Sequence, residues 1–420
     1  MSTNALARLH LTQGTVSITK RGPFELESGE TLSSVDLRYA IYGEVNQDCS
    51  NVTLVCHALS GSSRVDQWWP DLLERVFDLD RECVVCFNII GSCYGSTSAA
   101  SLNPATGKPY GGSFPQVTVR DWVRAEKIAL QELGFTHVRT AIGPSIGGMQ
   151  ALQWAVEYPD WVDRVVAMGT TQLSALGLGL NHIQREIIRL DPEFRGGDYY
   201  DGPGPRTGLA QARAIAMTTY KSGELFHARH GRHPDRKGSA PWQSPDGRFD
   251  IAGYLEYQGK IFWERFDANA YIAITRAMDL FDPDRDWNGA AWQRVRAKVL
   301  LFGISSDVLF PDSDVRDFAR QLSEAGVNCT YEHIASAHGH DSFLAEPDKL
   351  VPVVKNFLAH DVHAAIHHPA AAHAGNDNGG NDNAGDDVIG HDAKPVPRHT
   401  APVADSYRPI RLVACDGNQA

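Results

Sequence analysis

The chain has 420 residues, of which 42% are hydrophobic, and it carries a formal net charge of −12. This length can bury one large core with an inserted subdomain, or two ordinary domains. The acidic balance offers no basic surface for phosphates, so we expect small-molecule ligands and no nucleic acid. The N-terminal residues lack the apolar run of a secretory signal, and no later run is long enough for a bilayer, so no membrane association is expected.

The seven cysteines are an odd number, and most lie in or beside apolar, strand-like segments. This pattern favours free thiols in a reducing cytoplasm over a disulfide framework. Cys83 and Cys86 form a C-x-x-C motif, which a redox pair or half of a zinc site would also show. Because a strand would point the two thiols to opposite faces, we interpret them as buried small side chains and expect no metal site.

Short apolar runs alternate with helical stretches along much of the chain. The alternation predicts an α/β fold with a mainly parallel sheet and helices on both of its faces. Apolar residues at helical spacing from Trp122 to Leu133 predict one covering helix, which Gly134 should end. The predicted strands are residues 52–57, 83–90, 138–143, 162–168, 298–303 and 329–334.

Two regions depart from this alternation. Residues 173–292 contain helical stretches and a polar loop, which predicts a helical cap inserted between two core segments, residues 1–172 and 293–362. We expect this cap to cover the carboxyl ends of the strands. Beyond residue 362 the composition shifts to Ala, His, Asn, Asp and Gly, which cannot bury enough apolar area to fold, so residues 363–420 are predicted to be a disordered tail.

The segment GPSIGG, residues 143–148, follows a predicted strand and opens an amphipathic helix. A G-x-S-x-G motif in this context is typical of the nucleophile elbow of the α/β-hydrolase fold, where small residues let the strained turn expose Ser145. The amide of Ile146, at the start of the helix, is then placed to stabilise an oxyanion. The alternative is an ordinary turn, since the motif arises by chance in glycine-rich chains.

A serine nucleophile needs a base, and in this fold an acid and then a histidine follow it along the chain. Asp307 comes just after a predicted strand and is the predicted acid. His340 lies in a loop after the last strand and is the predicted base. The alternatives nearby are His338, Asp312, Asp314 and Asp341. The second oxyanion donor is expected in the loop of residues 57–62, where Leu59 is the predicted residue.

Several separate segments together resemble the homoserine O-acetyltransferase family. The resemblance runs from about residue 24 to residue 358, and lipases and esterases do not share its NPATGKPYG segment. The segments that carry the resemblance are HALSG at 57–61, GSCYGS at 91–96, NPATGKPYG at 103–111, GPSIGGMQ at 143–150 and GHDSFL at 339–344. This family resemblance also implies the α/β-hydrolase fold.

The resemblance implies a two-step reaction. His340 would deprotonate Ser145, the serine would take an acetyl group from acetyl-CoA, and the hydroxyl of L-homoserine would then take it from the enzyme. The product, O-acetylhomoserine, is a precursor of methionine. Acetyl-CoA would be a co-substrate and no cofactor would stay bound, in an enzyme expected to be a homodimer.

The resemblance also assigns the acceptor site. Arg213 and Tyr220 on a cap helix, with Asp341, would hold the carboxylate and amine of homoserine. Arg213 and Tyr220 are seven residues apart and so share a helix face, although a solvent-exposed arginine is the alternative for Arg213. Some members of the family use succinyl-CoA and others acylate serine or another alcohol, so both remain alternatives. A succinyl donor would need a cation near Ser145, and Arg64 could supply it or face solvent.

Two positions depart from the family pattern. Members of the family often have Gly-Gly-Ser-Met-Gly-Gly at the elbow and Arg-Phe-Gly-Arg where this chain has RHGR at 229–232. Neither change removes a catalytic group. Because an esterase of the same fold would carry the same serine, histidine and acid, and an inactive scaffold would share the fold, both remain alternatives.

Overall fold

The computed structural model describes residues 10–359, so the predicted tail at 363–420 lies outside the described residues. All six predicted strands are present, with ends that differ from the prediction by at most three residues. The strands are Thr12–Ser17 (β1), Phe24–Glu25 (β2), Thr31–Leu32 (β3), Asp36–Tyr42 (β4), Val52–Val55 (β5), Cys83–Phe87 (β6), Val138–Pro144 (β7), Val162–Met168 (β8), Lys298–Ile304 (β9) and Cys329–Ile334 (β10).

Eight of these strands form one sheet in the order β1-β4-β6-β5-β7-β8-β9-β10. The six strands β6, β5, β7, β8, β9 and β10 pair in parallel in that order, while β4 pairs antiparallel with both β6 and β1. The prediction of a mainly parallel sheet is therefore confirmed. The antiparallel edge was not predicted, because β4 alternates buried side chains with Arg38 and other partly exposed ones and lacks the continuous apolar run of a central strand.

Helices cover both faces of the sheet. The helix predicted over residues 122–133 begins with a capping box between Thr118 and Asp121 and ends before Gly134, whose φ is +89°. The α-helices are Val65–Trp68 (α1), Pro70–Arg75 (α2), Val119–Glu132 (α3), Ile146–Glu157 (α4), Ala175–Leu190 (α5), Arg206–Tyr220 (α6), Gly223–His230 (α7), Asp250–Trp263 (α8), Ala268–Asp279 (α9), Asp312–Glu324 (α10), Ser342–Ala345 (α11) and Pro347–Ala359 (α12).

Two apolar clusters occupy the two faces of the sheet. Along β6 the side chains alternate between them, so Cys83 and Val85 belong to one cluster, and Val84 and Cys86 belong to the other. Both thiols are buried and free, and burial raises the pKa of Cys83 to about 12. The interpretation of this C-x-x-C as two buried side chains on opposite faces is therefore confirmed. Within residues 10–359, no group of three or more His, Cys, Asp or Glu side chains could hold a metal ion.

The chain between β8 and β9 is helical and contributes no strand to the sheet. Helix α6 packs against α5 on one side and α8 on the other. The predicted helical stretches, around residues 181–189, 208–220 and 266–281, coincide with α5, α6 and α9. Helices α7 and α8 were not predicted, and in α8 Gly253 and Gly259 interrupt the helical pattern. None of the helices in the described part of the chain has the length and apolar composition to cross a membrane.

Candidate active site

Ser145 occupies a strained turn between β7 and α4. Its φ of 56° and ψ of −129° lie in a region of backbone conformation that residues other than glycine rarely adopt. The serine amide donates to the carbonyl of Met168 on β8 at 2.8 Å, which fixes the turn to the sheet. A Cβ at position 147 would lie 2.1 Å from the carbonyl oxygen of Cys56, and one at 143 would lie 2.4 Å from Gly147. Only glycine therefore fits at the positions two residues before and two residues after the serine.

The turn places Ser145 directly before the first residue of a helix. Ile146 is the first residue of α4, where backbone amides have no partner within the helix and the helix dipole favours negative charge. The Ile146 side chain is buried, so this residue can offer its amide alone. The arrangement suits the stabilisation of an oxyanion formed at Ser145.

Asp307 and His340 form a buried hydrogen-bonded pair. The carboxylate oxygen Oδ2 of Asp307 lies 2.6 Å from Nδ1 of His340. The other oxygen, Oδ1, accepts hydrogen bonds from the amides of Leu309 at 2.9 Å and Phe310 at 3.0 Å. The carboxylate is therefore held from three directions and fixes the imidazole with its proton on Nδ1, which leaves Nε2 as the basic nitrogen.

The environment sets the basicity of His340. Burial disfavours the imidazolium, but attraction to the Asp307 carboxylate and the hydrogen bond to it outweigh burial and raise the pKa of His340 above its ordinary value. Nε2 is buried and has no hydrogen-bond partner among residues 10–359. Since Ser145 and His340 line the same cavity, this nitrogen is available to take a proton from a group in that cavity.

The neighbouring alternatives have other partners. Asp312 accepts hydrogen bonds from Tyr331 and from Arg316, the latter at 2.7 Å, and lies 3.1 Å from Nδ1 of His333. Asp314, in the first turn of α10, accepts a hydrogen bond from the hydroxyl of Ser313 at 3.1 Å. His338 is only half-buried and does not line the cavity. The geometry therefore favours Asp307 and His340 over these neighbours.

The loop that carries Leu59 is held by two buried polar side chains that were not predicted. His57 donates from Nδ1 to the carbonyl of Ala58 at 2.8 Å and accepts at Nε2 from the amide of Ile89 at 3.4 Å. Burial lowers the pKa of His57 to about 4, so it is neutral and the tautomer is fixed. Asn88 accepts from the amide of Ser63 at 2.5 Å. The only sequence signal for either residue is a polar side chain at the end of an apolar strand.

Ser145 opens into a cavity of about 730 Å³. Asp307 lies behind His340, and Ile146 supplies backbone beneath Ser145. The remaining predicted site residues all line this one cavity; they are Ser145, His340, Leu59, Arg213, Tyr220 and Asp341. Residues far apart in the chain, from the sheet and from helix α6, thus meet around one serine.

Arg213 brings positive charge into the cavity. Its guanidinium carbon lies 5.2 Å from the ring centroid of Tyr220 and 4.7 Å from that of Phe262. Its Nε is buried without a hydrogen-bond partner, and no carboxylate among residues 10–359 lies within ion-pair distance. The Tyr220 ring in turn lies 5.8 Å from that of His340, and burial raises the pKa of Tyr220. An anionic group could therefore bind Arg213 close to the predicted base.

Asp341 carries a partner that was not predicted. Its Oδ2 accepts from the Nζ of Lys221 at 2.9 Å, in a pair that is largely shielded from solvent. The next residue, Ser222, donates to the carbonyl of Ala337. The end of α6 is thus joined to the loop of His340 by two contacts. Lys221 directly follows Tyr220, but nothing in its sequence context indicates this pairing.

Arg64 also lines the cavity but is already paired. Its Nε and Nη2 donate to the two oxygens of Asp66 at 2.8 and 2.6 Å. Asp66 is buried and accepts a further hydrogen bond from the hydroxyl of Tyr42 at 2.6 Å. The planar fork of Arg64 is therefore occupied by a carboxylate of the protein itself.

The chain is similar to known proteins over most of its length. A family model described as alpha/beta hydrolase fold matches residues 51–347. A homoserine O-acetyltransferase of Moorella thermoacetica is 41% identical over 350 residues, covering 79% of this chain and 92% of the relative. A homoserine O-succinyltransferase of Alkalilimnicola ehrlichii is 40% identical over 348 residues, covering 79% of this chain and 90% of the relative.

The solved structures that superpose on the chain include homoserine O-acetyltransferases and esterases. The crystal structure of homoserine O-acetyltransferase from Bacillus anthracis superposes with a TM-score of 0.75 at 25% identity, covering 84% of this chain and 98% of that one. The family model spans more than half of the chain, and the relatives are covered almost entirely. The elbow at Ser145, the buried Asp307–His340 pair and these similarities together show that the chain belongs to the homoserine O-acetyltransferase family of acyltransferases with the α/β hydrolase fold.

Proposed function

We propose that the chain transfers an acetyl group from acetyl-CoA to the hydroxyl of L-homoserine through an acetyl ester of Ser145. The observation that carries this proposal is the unpaired Nε2 of His340, held by Asp307 in the cavity that Ser145 lines. A base so placed can activate a serine that is otherwise a weak nucleophile. The family membership supports transfer to homoserine.

In the first half-reaction Nε2 of His340 takes the proton of the Ser145 hydroxyl, and the serine oxygen bonds to the thioester carbonyl carbon. The amides of Leu59 and Ile146 stabilise the oxyanion. The carbon–sulfur bond then breaks, and CoA leaves as a thiol with the proton that His340 carried. Acetyl-CoA is thus a co-substrate, and no cofactor remains bound.

In the second half-reaction His340 takes the proton of the homoserine hydroxyl, whose oxygen bonds to the acetyl carbon. The ester bond to Ser145 breaks, and the serine recovers its proton from His340. Arg213 binds the carboxylate of homoserine, with Tyr220 beside it. Asp341, which already pairs with Lys221, binds the amine. We further propose that the product serves methionine biosynthesis in the cytoplasm and that the enzyme is a homodimer, as in the family that the sequence resembles.

The pairing of Arg64 bears on the identity of the acyl donor. A succinyl group carries a terminal carboxylate that needs a cation near Ser145, but the fork of Arg64 is occupied by Asp66. This pairing supports acetyl over succinyl. Succinyl transfer is the second candidate, because the homoserine O-succinyltransferase relative is about as similar to the chain as the O-acetyltransferases.

Kinetic measurements test both the transfer to homoserine and the choice of acetyl as the acyl group. With acetyl-CoA alone the enzyme should release about one CoA per Ser145 in a burst and then nearly stop, and homoserine should restore turnover. Continued turnover without homoserine would identify an esterase. Parallel rates with acetyl-CoA and succinyl-CoA separate the donors, and a faster rate with succinyl-CoA would overturn the choice of acetyl.

A further inference from the structure

Two arginines besides Arg64 and Arg213 line the cavity. Arg38 is on β4, Arg265 follows the end of α8, and both side chains are exposed. Across the described part of the chain, neither has a carboxylate within ion-pair distance. Among residues 10–359, Asp341 is the one carboxylate in the cavity wall, and it pairs with Lys221. A chain with a net charge of −12 therefore keeps unneutralised positive charge around this one cavity.

Arg265 and Arg38 contact two neighbouring residues, Tyr94 and Gly95. Arg265 donates to the hydroxyl of Tyr94 at 2.6 Å and to the carbonyl of Ser60 at 3.2 Å, with a longer contact to the Ser60 hydroxyl at 3.5 Å. These contacts use three of the five N–H donors of a guanidinium, so two remain for a ligand. The stem of Arg38 lies against Gly95, and its Cδ is 2.9 Å from the position that a Gly95 Cβ would take.

The three arginines that have no carboxylate partner differ in depth. Arg213 is half-buried beside Tyr220, whose ring is next to His340, whereas Arg265 is exposed beside Tyr94. Both Arg213 and Arg265 contact the ring of Phe262, at 4.7 and 5.2 Å. The positive charge of the cavity therefore extends from the neighbourhood of His340 to the exposed rim.

A coenzyme A thioester carries its negative charge on phosphates that are far from the acyl group, as Arg38 and Arg265 are exposed at the rim. Its acyl group and its phosphates are at opposite ends of a long pantetheine arm, so a phosphate site belongs at the rim when the thioester is at Ser145. We infer that Arg38 and Arg265 form a subsite for the nucleotide phosphates of the acyl donor. The inference rests on the proposed function, because it takes the donor to be a coenzyme A thioester. Arginine suits the role, since its planar fork can bind phosphate oxygens through two hydrogen bonds.

Comparison of two acyl donors tests the subsite. Acetyl-CoA carries the phosphates, whereas S-acetylpantetheine has the same thioester and none. Arg38→Ala and Arg265→Ala should each raise KM for acetyl-CoA about tenfold, since each removes charge-assisted hydrogen bonds. Neither should change kcat/KM for S-acetylpantetheine. Arg206→Ala is the matched control, because Arg206 is an exposed arginine of α6 that does not line the cavity.

Further variants separate the outcomes. Arg38→Gln keeps much of the stem that lies against Gly95, and Arg265→Gln keeps an uncharged polar side chain in place of the guanidinium, so both should show the same selectivity between donors even if an alanine variant folds poorly. An equal loss with both donors would overturn the inference, because Arg265 would then act by positioning Ser60. An unmodified enzyme that forms no acetyl-enzyme with either donor would instead contradict the proposed function, and the two failures are thus distinct.

Discussion

The carboxylate of Asp307 lies 2.6 Å from Nδ1 of His340, and the amides of Leu309 and Phe310 hold its other oxygen. This relationship decides which nitrogen of His340 is basic. Asp307→Asn should therefore reduce kcat by about 10⁴-fold, because an amide can stabilise the wrong tautomer and cannot stabilise the imidazolium. Asp312→Asn, on a carboxylate bonded to Tyr331, is the matched control. Similar losses in both variants would contradict the assignment of the acid.

The dependence of acylation on pH follows from the raised pKa of His340. Only the neutral imidazole can take the proton of Ser145. Because the folded protein holds the proton more tightly than a free imidazole, acylation should be lost as pH falls through a value above the ordinary histidine pKa of about 6.5. The pH profile of kcat/KM for acetyl-CoA measures this value in the free enzyme. An apparent pKa clearly below 6.5 would show that burial outweighs Asp307.

The elbow should tolerate no side chain at position 147. The Cβ of Gly147→Ala would lie 2.1 Å from the backbone oxygen of Cys56, which cannot move without shifting β5. We expect a loss of about 3 kcal/mol in the free energy of unfolding, measured in urea, together with loss of acylation. Gly179→Ala, within α5 and with no atom within 4 Å of the new methyl group, should be neutral or slightly stabilising. Equal stability of the two variants would contradict the close packing of the elbow.

Arg213 should act in the second half-reaction alone. Arg213→Ala should lower kcat/KM for homoserine by an amount equivalent to about 2–4 kcal/mol, because the carboxylate of the substrate would be left unpaired. Arg213→Lys should recover part of the loss, since an ammonium lacks the planar fork. Acetylation of Ser145 and its slow hydrolysis should not change, and Arg206→Ala on the same helix serves as the control. Slower acetylation in Arg213→Ala would assign Arg213 to the donor site or to the fold.

Local patterns and chain order explain what could be predicted from the sequence. The parallel strands are continuous apolar runs, and the elbow needs glycines at fixed sequence positions relative to Ser145. Both features can therefore be predicted from short segments of sequence. Chain order in the α/β-hydrolase fold indicates Asp307 and His340, which the structure brings within hydrogen-bond distance.

Features that depend on distant contacts could not be predicted in this way. The pairing of Lys221 with Asp341 arises where the end of α6 meets a loop 120 residues later in the chain. The support of the Leu59 loop by His57 depends on Ile89 of another segment. Helix α8 was missed because its glycines lower the intrinsic helix propensity, and packing against α6 compensates for that loss.

The covalent intermediate on Ser145 is the central claim, and intact-mass analysis after mixing with acetyl-CoA tests it most directly. The unmodified protein should gain the mass of one acetyl group, mapped by peptide analysis to Ser145, and should lose it when homoserine is added. Ser145→Ala should gain none. An acetyl adduct that persists in Ser145→Ala, or an adduct on Ser145 that homoserine does not remove, would contradict the account.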